Sequence, residues 1–256
     1  MRFLSAAHTD VGISKKINQD AFCLKIAKTP NANIAFAVLC DGMGGLKFGE
    51  LASALVVNAF SRWFENEFPQ MLKKGINLEA VKTRWNEIAL EQGRKILEYG
   101  QSEGISLGTT LTAILLINNQ YIFIQVGDSR IYCLGQQIQQ ITKDQTVVSR
   151  EVEQHRLTES EARVDKRKNI LLQCIGASRV IEPEIKTGTL TEETAFLLCS
   201  DGFRHEISNE EMFGVMAPSL LASEKMMKKC LVDLVELNKM RDEKDNITAL
   251  LIKAIK

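Results

Sequence analysis

The sequence predicts an α+β fold: a central β-sandwich of two antiparallel sheets, flanked on both sides by pairs of α-helices. Three observations predict it. Apolar runs of strand length come as neighbours joined by short turns, the connection that antiparallel strands use. Long amphipathic helices come in pairs between the groups of strands. Each such helix has one apolar stripe to bury, and two sheets packed together with helices outside would bury every apolar face.

The elements follow in order. Strands are expected near residues 2–8, 20–27 and 33–40. A helix is predicted over 49–67, with Ala52, Leu55, Val56, Ala59, Phe60 and Trp63 on one face at 3.6-residue spacing. A second runs over about 78–100 and carries Leu78, Val81, Trp85, Ile88, Ile96 and Tyr99. Strands return at 109–117 and 121–126, linked by Asn118-Asn119-Gln120, whose asparagines tolerate the positive φ of a hairpin turn. Shorter strands at 130–134 and 137–141 flank Gly135-Gln136. The polar stretch 144–165 reads as one or two surface helices. Strands near 184–188 and 194–199, helices at 208–216 and 219–239, and a strand at 246–254 complete the pattern.

Bulk properties narrow the function. The 256 residues carry 32 basic and 32 acidic side chains, a formal net charge of zero. Nucleic-acid binding normally leaves a basic excess or stripe, so that class of partner is not expected. No apolar run approaches the roughly 20 residues that span a bilayer, and Met1-Arg2-Phe3-Leu4-Ser5-Ala6-Ala7-His8 turns polar too soon for a signal peptide. Six cysteines (23, 40, 133, 174, 199 and 230) lie mostly inside apolar stretches without metal-finger or redox spacing. They read as free thiols in a reducing cytoplasm. With four scattered prolines and no low-complexity linker, the chain is expected to form a single domain over residues 1–256.

The chemistry lies in acids at strand ends. Ala37-Val38-Leu39-Cys40 runs into Asp41-Gly42, and Phe196-Leu197-Leu198-Cys199-Ser200 runs into Asp201-Gly202. Asp245 precedes the run from Ile247 to Ile252, and Asp20 precedes Ala21-Phe22-Cys23-Leu24. A carboxylate at the rim of a buried strand is costly unless a cation, donors or water face it. Four of them, distant in sequence, suit a divalent-metal site, and the chain reads as a metal-dependent hydrolase of phosphate esters. The glycines of Asp41-Gly42-Met43-Gly44-Gly45 let backbone groups approach an ion or phosphate closely. Gly127-Asp128-Ser129-Arg130 reads either as a tight hairpin or as a further, weaker metal position at Asp128.

The ordered series Asn18-Gln19-Asp20, Asp41-Gly42-Met43-Gly44-Gly45, Gly108-Thr109-Thr110, Gly127-Asp128-Ser129-Arg130, Asp201-Gly202 and Asp245-Asn246-Ile247-Thr248 resembles the metal-dependent Ser/Thr protein phosphatases of type 2C, the bacterial branch above all. The resemblance spans about residues 1–253 and implies the same sandwich. It implies that Asp41 bridges two Mn²⁺ or Mg²⁺ ions, with the Gly42 carbonyl on the second. Asp201 and Asp245 would hold the first ion, Asp20 the second, directly or through water, and Asp128 a third. Asp41, Asp201 and Asp245 would be the catalytic acids. A water between the ions would attack phosphorus, and residues 142–165 would form a flap beside the cleft. Phosphorylated Ser/Thr proteins are the implied substrates, a Ser/Thr kinase the opposing partner, and a cytoplasmic monomer the expected state.

Elementary chemistry agrees. Hard cations take oxygen ligands, and a carboxylate, carbonyl and water shell suits Mg²⁺ or Mn²⁺ better than Zn²⁺. Ions about 3.5–4 Å apart acidify a shared water and stabilise in-line displacement. Cys40 and Cys199 are then packed thiols rather than nucleophiles. Two departures stand out. Lys15 occupies the position where many members carry a phosphate-clamping Arg, and lysine neutralises phosphate without the planar two-pronged contact; Lys16 is a second cation beside it. Met43 stands where animal members carry a His general acid. His8, His155 and His205 read as structural, which leaves water on the metal as the proton donor. A phosphatase-like binding module without turnover is the alternative from another class, and a nuclease the rival hydrolase.

Overall fold

A computed structural model of the chain describes residues 1–43 and 48–256. Its strands form two five-stranded sheets in which every pairing is antiparallel. The first sheet has the order β1 (Arg2–Asp10), β10 (Ile247–Ile255), β9 (Ala195–Cys199), β6 (Arg130–Leu134) and β7 (Ile138–Gln140). The second has β2 (Asp20–Lys28), β3 (Asn33–Asp41), β4 (Leu111–Ile117), β5 (Gln120–Val126) and β8 (Glu184–Thr189).

Side-chain alternation sets the layers. Ala35, Ala37 and Leu39 of β3, with Ile114 and Leu116 of β4, meet Phe196 and Leu198 of β9 and Leu250 and Ile252 of β10 in the core between the sheets. The intervening residues Phe36, Val38 and Cys40 face outward onto α1 (Gly49–Arg62) and α3 (Leu78–Glu103), where Val56, Phe60, Trp85, Ile88 and Ile96 cover them. On the other side Leu197, Cys199, Ala249 and Leu251 face α7 (Asn209–Met216) and α8 (Glu224–Met240), through Met212, Met227, Leu231 and Val235. The result is the expected sandwich with a helix pair on each face.

Three elements differ from the sequence expectation. The helix predicted over 49–67 is α-helical only to Arg62, passes through a π turn at Trp63–Glu67, and resumes as α2 (Phe68–Lys73). Pro69 lies in the first turn of α2, where its missing N–H costs least. The wider turn buries adjacent Trp63 and Phe64 together against Phe36. The helix predicted over 219–239 begins at Glu224, capped by the Ser223 hydroxyl, after a short 3₁₀ turn at Pro218–Leu220. Finally, Gly127-Asp128-Ser129-Arg130 is not a hairpin. It carries the chain from β5 in the second sheet to β6 in the first, so it crosses the end of the sandwich.

Candidate metal centre

Asp20 and Asp41 are direct partners across β2 and β3. Asp41 shares the inward side with Ala35, Ala37 and Leu39, and Asp20 shares it with Phe22 and Leu24. Two like charges facing each other in a ladder repel. The opposite sheet adds Asp201, at the start of the short helix α6 (Asp201–Arg204) directly after β9, and Asp245 just before β10. The predicted acids of both sheets thus meet at one end of the inter-sheet layer.

The electrostatics report the same convergence. Burial, then the charges of Asp20, Asp201, Asp128 and Asp245, drive the Asp41 carboxyl well above the usual carboxylate range. Asp20 is pushed up to about 7, mainly by burial and by Asp201 and Asp245, with Thr248 and Ser200 opposing. Thr248 Oγ1 lies 2.7 Å from Thr9 Oγ1, and Ser200 Oγ accepts the Thr248 N–H at 3.0 Å. Both Asp20 carboxylate oxygens and Asp201 Oδ1 are buried with no acceptor-to-donor contact of hydrogen-bond geometry. Orphaned buried acceptors are rare and need an explanation, and an all-oxygen set of this kind fits Mn²⁺ or Mg²⁺. Among the described residues no group of three or more His, Cys, Asp or Glu side chains is closed tightly enough to grip an ion as placed. The acids share one electrostatic neighbourhood without forming a cage.

The motif residues that are not acids build the frame. Thr110 Oγ1 accepts the Asp41 N–H at 2.9 Å, and Thr109 Oγ1 donates to the Asp41 carbonyl at 2.9 Å. The Gly42 N–H donates to the Gln19 carbonyl, and a Cβ on Gly42 would collide with the carbonyls of Gly49 and Gln19. Gly202 is equally constrained, since a Cβ there would strike the Asn246 carbonyl. Asn246 ties residues 11–19 to the start of β10: its Oδ1 accepts from the Gln19 N–H at 2.9 Å, and its Nδ2 donates to the carbonyls of Val11 and Ile17. Gly44 and Gly45 of the glycine-rich motif lie outside the described residues.

Lys15 reaches the site. Its Nζ lies 2.9 Å from Asp245 Oδ1, and Asp245, Asp41 and Asp201 together hold its ammonium above its ordinary range despite partial burial. Cys40 and Cys199 have the opposite parity and face the helices. Burial raises both thiols, Cys199 to about 12, so neither is poised as a nucleophile.

Asp128 sits differently. It is buried at the sheet crossover and pushed to about 7 by burial and by Asp201, while Arg204 pulls the other way. Arg204 Nη2 lies 3.5 Å from Asp128 Oδ2 and 3.5 Å from Asp144 Oδ2, and it donates to the Asp128 carbonyl at 3.1 Å. Asp144 in turn accepts two prongs from Arg130, with Nε to Oδ1 at 2.9 Å and Nη2 to Oδ2 at 2.7 Å. Burial would raise Asp144, but Arg204 and Arg130 hold it below the usual carboxylate range. The Gln145 side chain accepts the Gly127 N–H at 2.8 Å, so the predicted flap is anchored at its base. The rest of that segment carries α4 (Val147–Glu153) and α5 (Glu159–Val164), which with α7 border a cavity of about 950 Å³. Among the described residues Arg204 and His205 line that cavity, whereas the five acids do not.

Sequence reasoning passed over one further pair. His205, read there as structural, faces Glu243 Oε2 through Nδ1 at 3.1 Å and Asp201 Oδ2 through Nε2 at 3.5 Å. Burial would lower its basicity, but Glu243 and Asp201 raise it. Glu243 Oε1 also accepts the N–H of Asp245 at 2.8 Å, so one carboxylate steadies two candidate ligands. The signal available in the sequence was the i, i+4 spacing of Asp201 and His205. His8 instead meets Lys228, and His155 lies in the turn after α4.

Comparison with known proteins agrees with this geometry. The family profile described as protein phosphatase 2C matches residues 9–236. The protein phosphatase PhpP of Streptococcus pneumoniae is 31% identical over 248 residues, covering 95% of this chain and 94% of that one. A solved serine/threonine phosphatase of S. agalactiae superposes with a TM-score of 0.84 at 30% identity, covering 98% of this chain and 99% of that chain. The catalytic domain of the serine/threonine phosphatase PstP, solved with two manganese ions, gives a TM-score of 0.77 at 27% identity and 99% coverage of both chains. Fold, acid placement and relatives converge: this chain belongs to the protein phosphatase 2C family of Ser/Thr protein phosphatases.

Proposed function

We propose that the chain hydrolyses phosphoserine and phosphothreonine on proteins with two Mn²⁺ or Mg²⁺ ions, as a single catalytic domain spanning residues 1–256. In this reading Asp41 and the Gly42 carbonyl, with Asp201, Asp245 and Asp20, would hold the ions. The observation that carries it is the pairing of Asp20 with Asp41 across one ladder, with three buried carboxylate oxygens nearby left without partners. When bound, the ions supply an acidified water as nucleophile and charge to offset the phosphate.

The chain's own residues orient and exclude. Thr109 and Thr110 pin the Asp41 backbone from both sides. Glu243 fixes Asp245 by its N–H and Asp201 through His205, the outer contacts that keep ligands aimed. Lys15 brings a cation to the rim, which supports its role in attracting the phosphate dianion, although it lacks the two-pronged geometry of arginine. The flap, anchored at Gln145 and Asp144, borders the cavity that Arg204 and His205 also line, which supports a part in substrate choice.

Among the described residues no helix is long and apolar enough to cross a membrane. A cytoplasmic monomer that opposes a Ser/Thr kinase completes the reading. Its test is phosphate release from phosphoserine and phosphothreonine peptides, and from p-nitrophenyl phosphate, across a titration of Mn²⁺ and Mg²⁺. Metal-dependent release is expected. No turnover with either metal from neutral to alkaline pH would sink the reading and favour a silent binding module.

A further inference from the structure

The acid expected to take a third ion already has a cation. Asp128 is buried, and Arg204, from α6 directly after β9, reaches it with Nη2 at 3.5 Å from Oδ2 and 3.1 Å from the backbone carbonyl. The two side chains are only 8% and 12% exposed, so solvent screens their attraction weakly. Arg204 also faces Asp144, which Arg130 grips from the other side. Two carboxylates and two guanidiniums thus alternate along a row, Asp128, Arg204, Asp144 and Arg130, at the crossover between the sheets. The guanidinium is permanently charged and carries no acceptor, so it neither ligates a metal nor steps aside by losing a proton.

A divalent ion on Asp128 would meet that fixed positive charge at close range in a poorly screened site, where the repulsion far exceeds thermal energy. The contrast with Asp20 lies in the cation: among the described residues no Lys, Arg or His reaches the buried Asp20 oxygens, while Asp128 has a guanidinium 3.5 Å away. Arg204 Nε is itself buried without an acceptor, so charge rather than a full set of hydrogen bonds holds the side chain in place. We propose that the Arg204 guanidinium is a built-in cation at Asp128, standing where a third divalent ion would bind, so that this chain takes two ions and not three. The inference rests on the two-ion reading of the site.

Counting bound Mn²⁺ on the full chain, by equilibrium dialysis and by calorimetric titration, separates the two ideas. Two ions per chain are expected in the wild type. Arg204→Ser is expected to gain a third, weaker ion, Arg204→Lys to stay at two, and Arg204→Ser/Asp128→Asn to return to two. Three ions on the wild type, or a folded Arg204→Ser that still binds two, would overturn the proposal. Fewer than two on the wild type would overturn the two-ion reading itself. Should Arg204→Ser not fold, Asp128→Asn decides: an unchanged count of two supports the guanidinium, and a drop of one ion contradicts it.

Discussion

The two ends of the acid row solve the same electrostatic problem in opposite ways. At Asp20, Asp41 and Asp201 like charges converge, three oxygens lack partners, and Lys15 touches only the rim at Asp245. Toward Asp128 and Asp144 the chain supplies cations of its own: a two-pronged fork from Arg130 grips Asp144, and Arg204 lies 3.5 Å from both acids, offsetting part of the burial that pushes Asp128 up to about 7. Buried charge is tolerated only when compensated. The first region therefore needs more compensation from outside the chain than the second, where Arg130 and Arg204 already answer part of the charge. A ligand site differs from a structural ion pair in this respect: its charges are left unanswered by the protein.

The comparison can be broken most forcefully at Asp41. Asp41→Ala should cut metal-dependent p-nitrophenyl phosphate turnover about 10³-fold or more, because several kcal/mol of charge stabilisation depend on the ions it would hold. The fold should survive, since removing one carboxylate relieves repulsion. Circular dichroism and thermal unfolding alongside the rates check both halves.

Next comes the neutralised end. Asp144→Asn should destabilise the protein by about 3 kcal/mol at neutral pH, as breaking a buried pair strands the guanidiniums of Arg130 and Arg204. The sign with pH follows from the lowered carboxyl of Asp144. A carboxylate whose folded-state value lies below its unfolded one stabilises fully above the unfolded value, near 3.8, and loses that contribution as pH falls through the folded one. Urea denaturation of wild type and variant should show a gap at pH 7 that closes in strong acid. A gap that stays constant with pH would assign the effect to packing instead.

Metal should stabilise the unanswered end by a comparable but smaller amount. At Mn²⁺ about 100-fold above its dissociation constant, linkage gives about 2.7 kcal/mol, or a rise in Tm of about 5–10 °C for a chain of this size. Chelator should reverse it. Asp20→Asn should raise the Tm of the metal-free protein and reduce the gain from Mn²⁺, which scanning calorimetry can read. The smallest effect is expected at His205. Its loss in His205→Ala should weaken Mn²⁺ binding about 10-fold, the scale of outer contacts to ligands. Turnover at saturating Mn²⁺ should change less, and titration of activity against Mn²⁺ separates the two.

How much of this was legible beforehand depends on the range of the interaction. The continuous apolar run before Asp41 marks a strand buried on both faces, and the packing shows it: Ala35, Ala37 and Leu39 lie between the sheets and Phe36, Val38 and Cys40 under the helices. The acids at strand ends were legible for the same reason, since a strand's end is a local property of its apolar run. The π turn at Trp63–Glu67 was not legible, because its reward is the joint burial of Trp63 and Phe64 against Phe36 on another element. The crossover at Gly127-Asp128-Ser129-Arg130 looked like a hairpin because nothing within four residues states which sheet comes next.

The layered α+β architecture and the acids at strand ends are legible in the residues alone, since they follow from helical spacing, from the length of apolar runs and from local punctuation. Which charge answers which is settled by the packed fold. Arg204 and Asp128 are 76 residues apart, and Asp20 meets Asp41 through sheet register. Ion pairing falls off with distance in space and is indifferent to distance along the chain, so the division between open and satisfied acids emerges only when the two sheets close over one another.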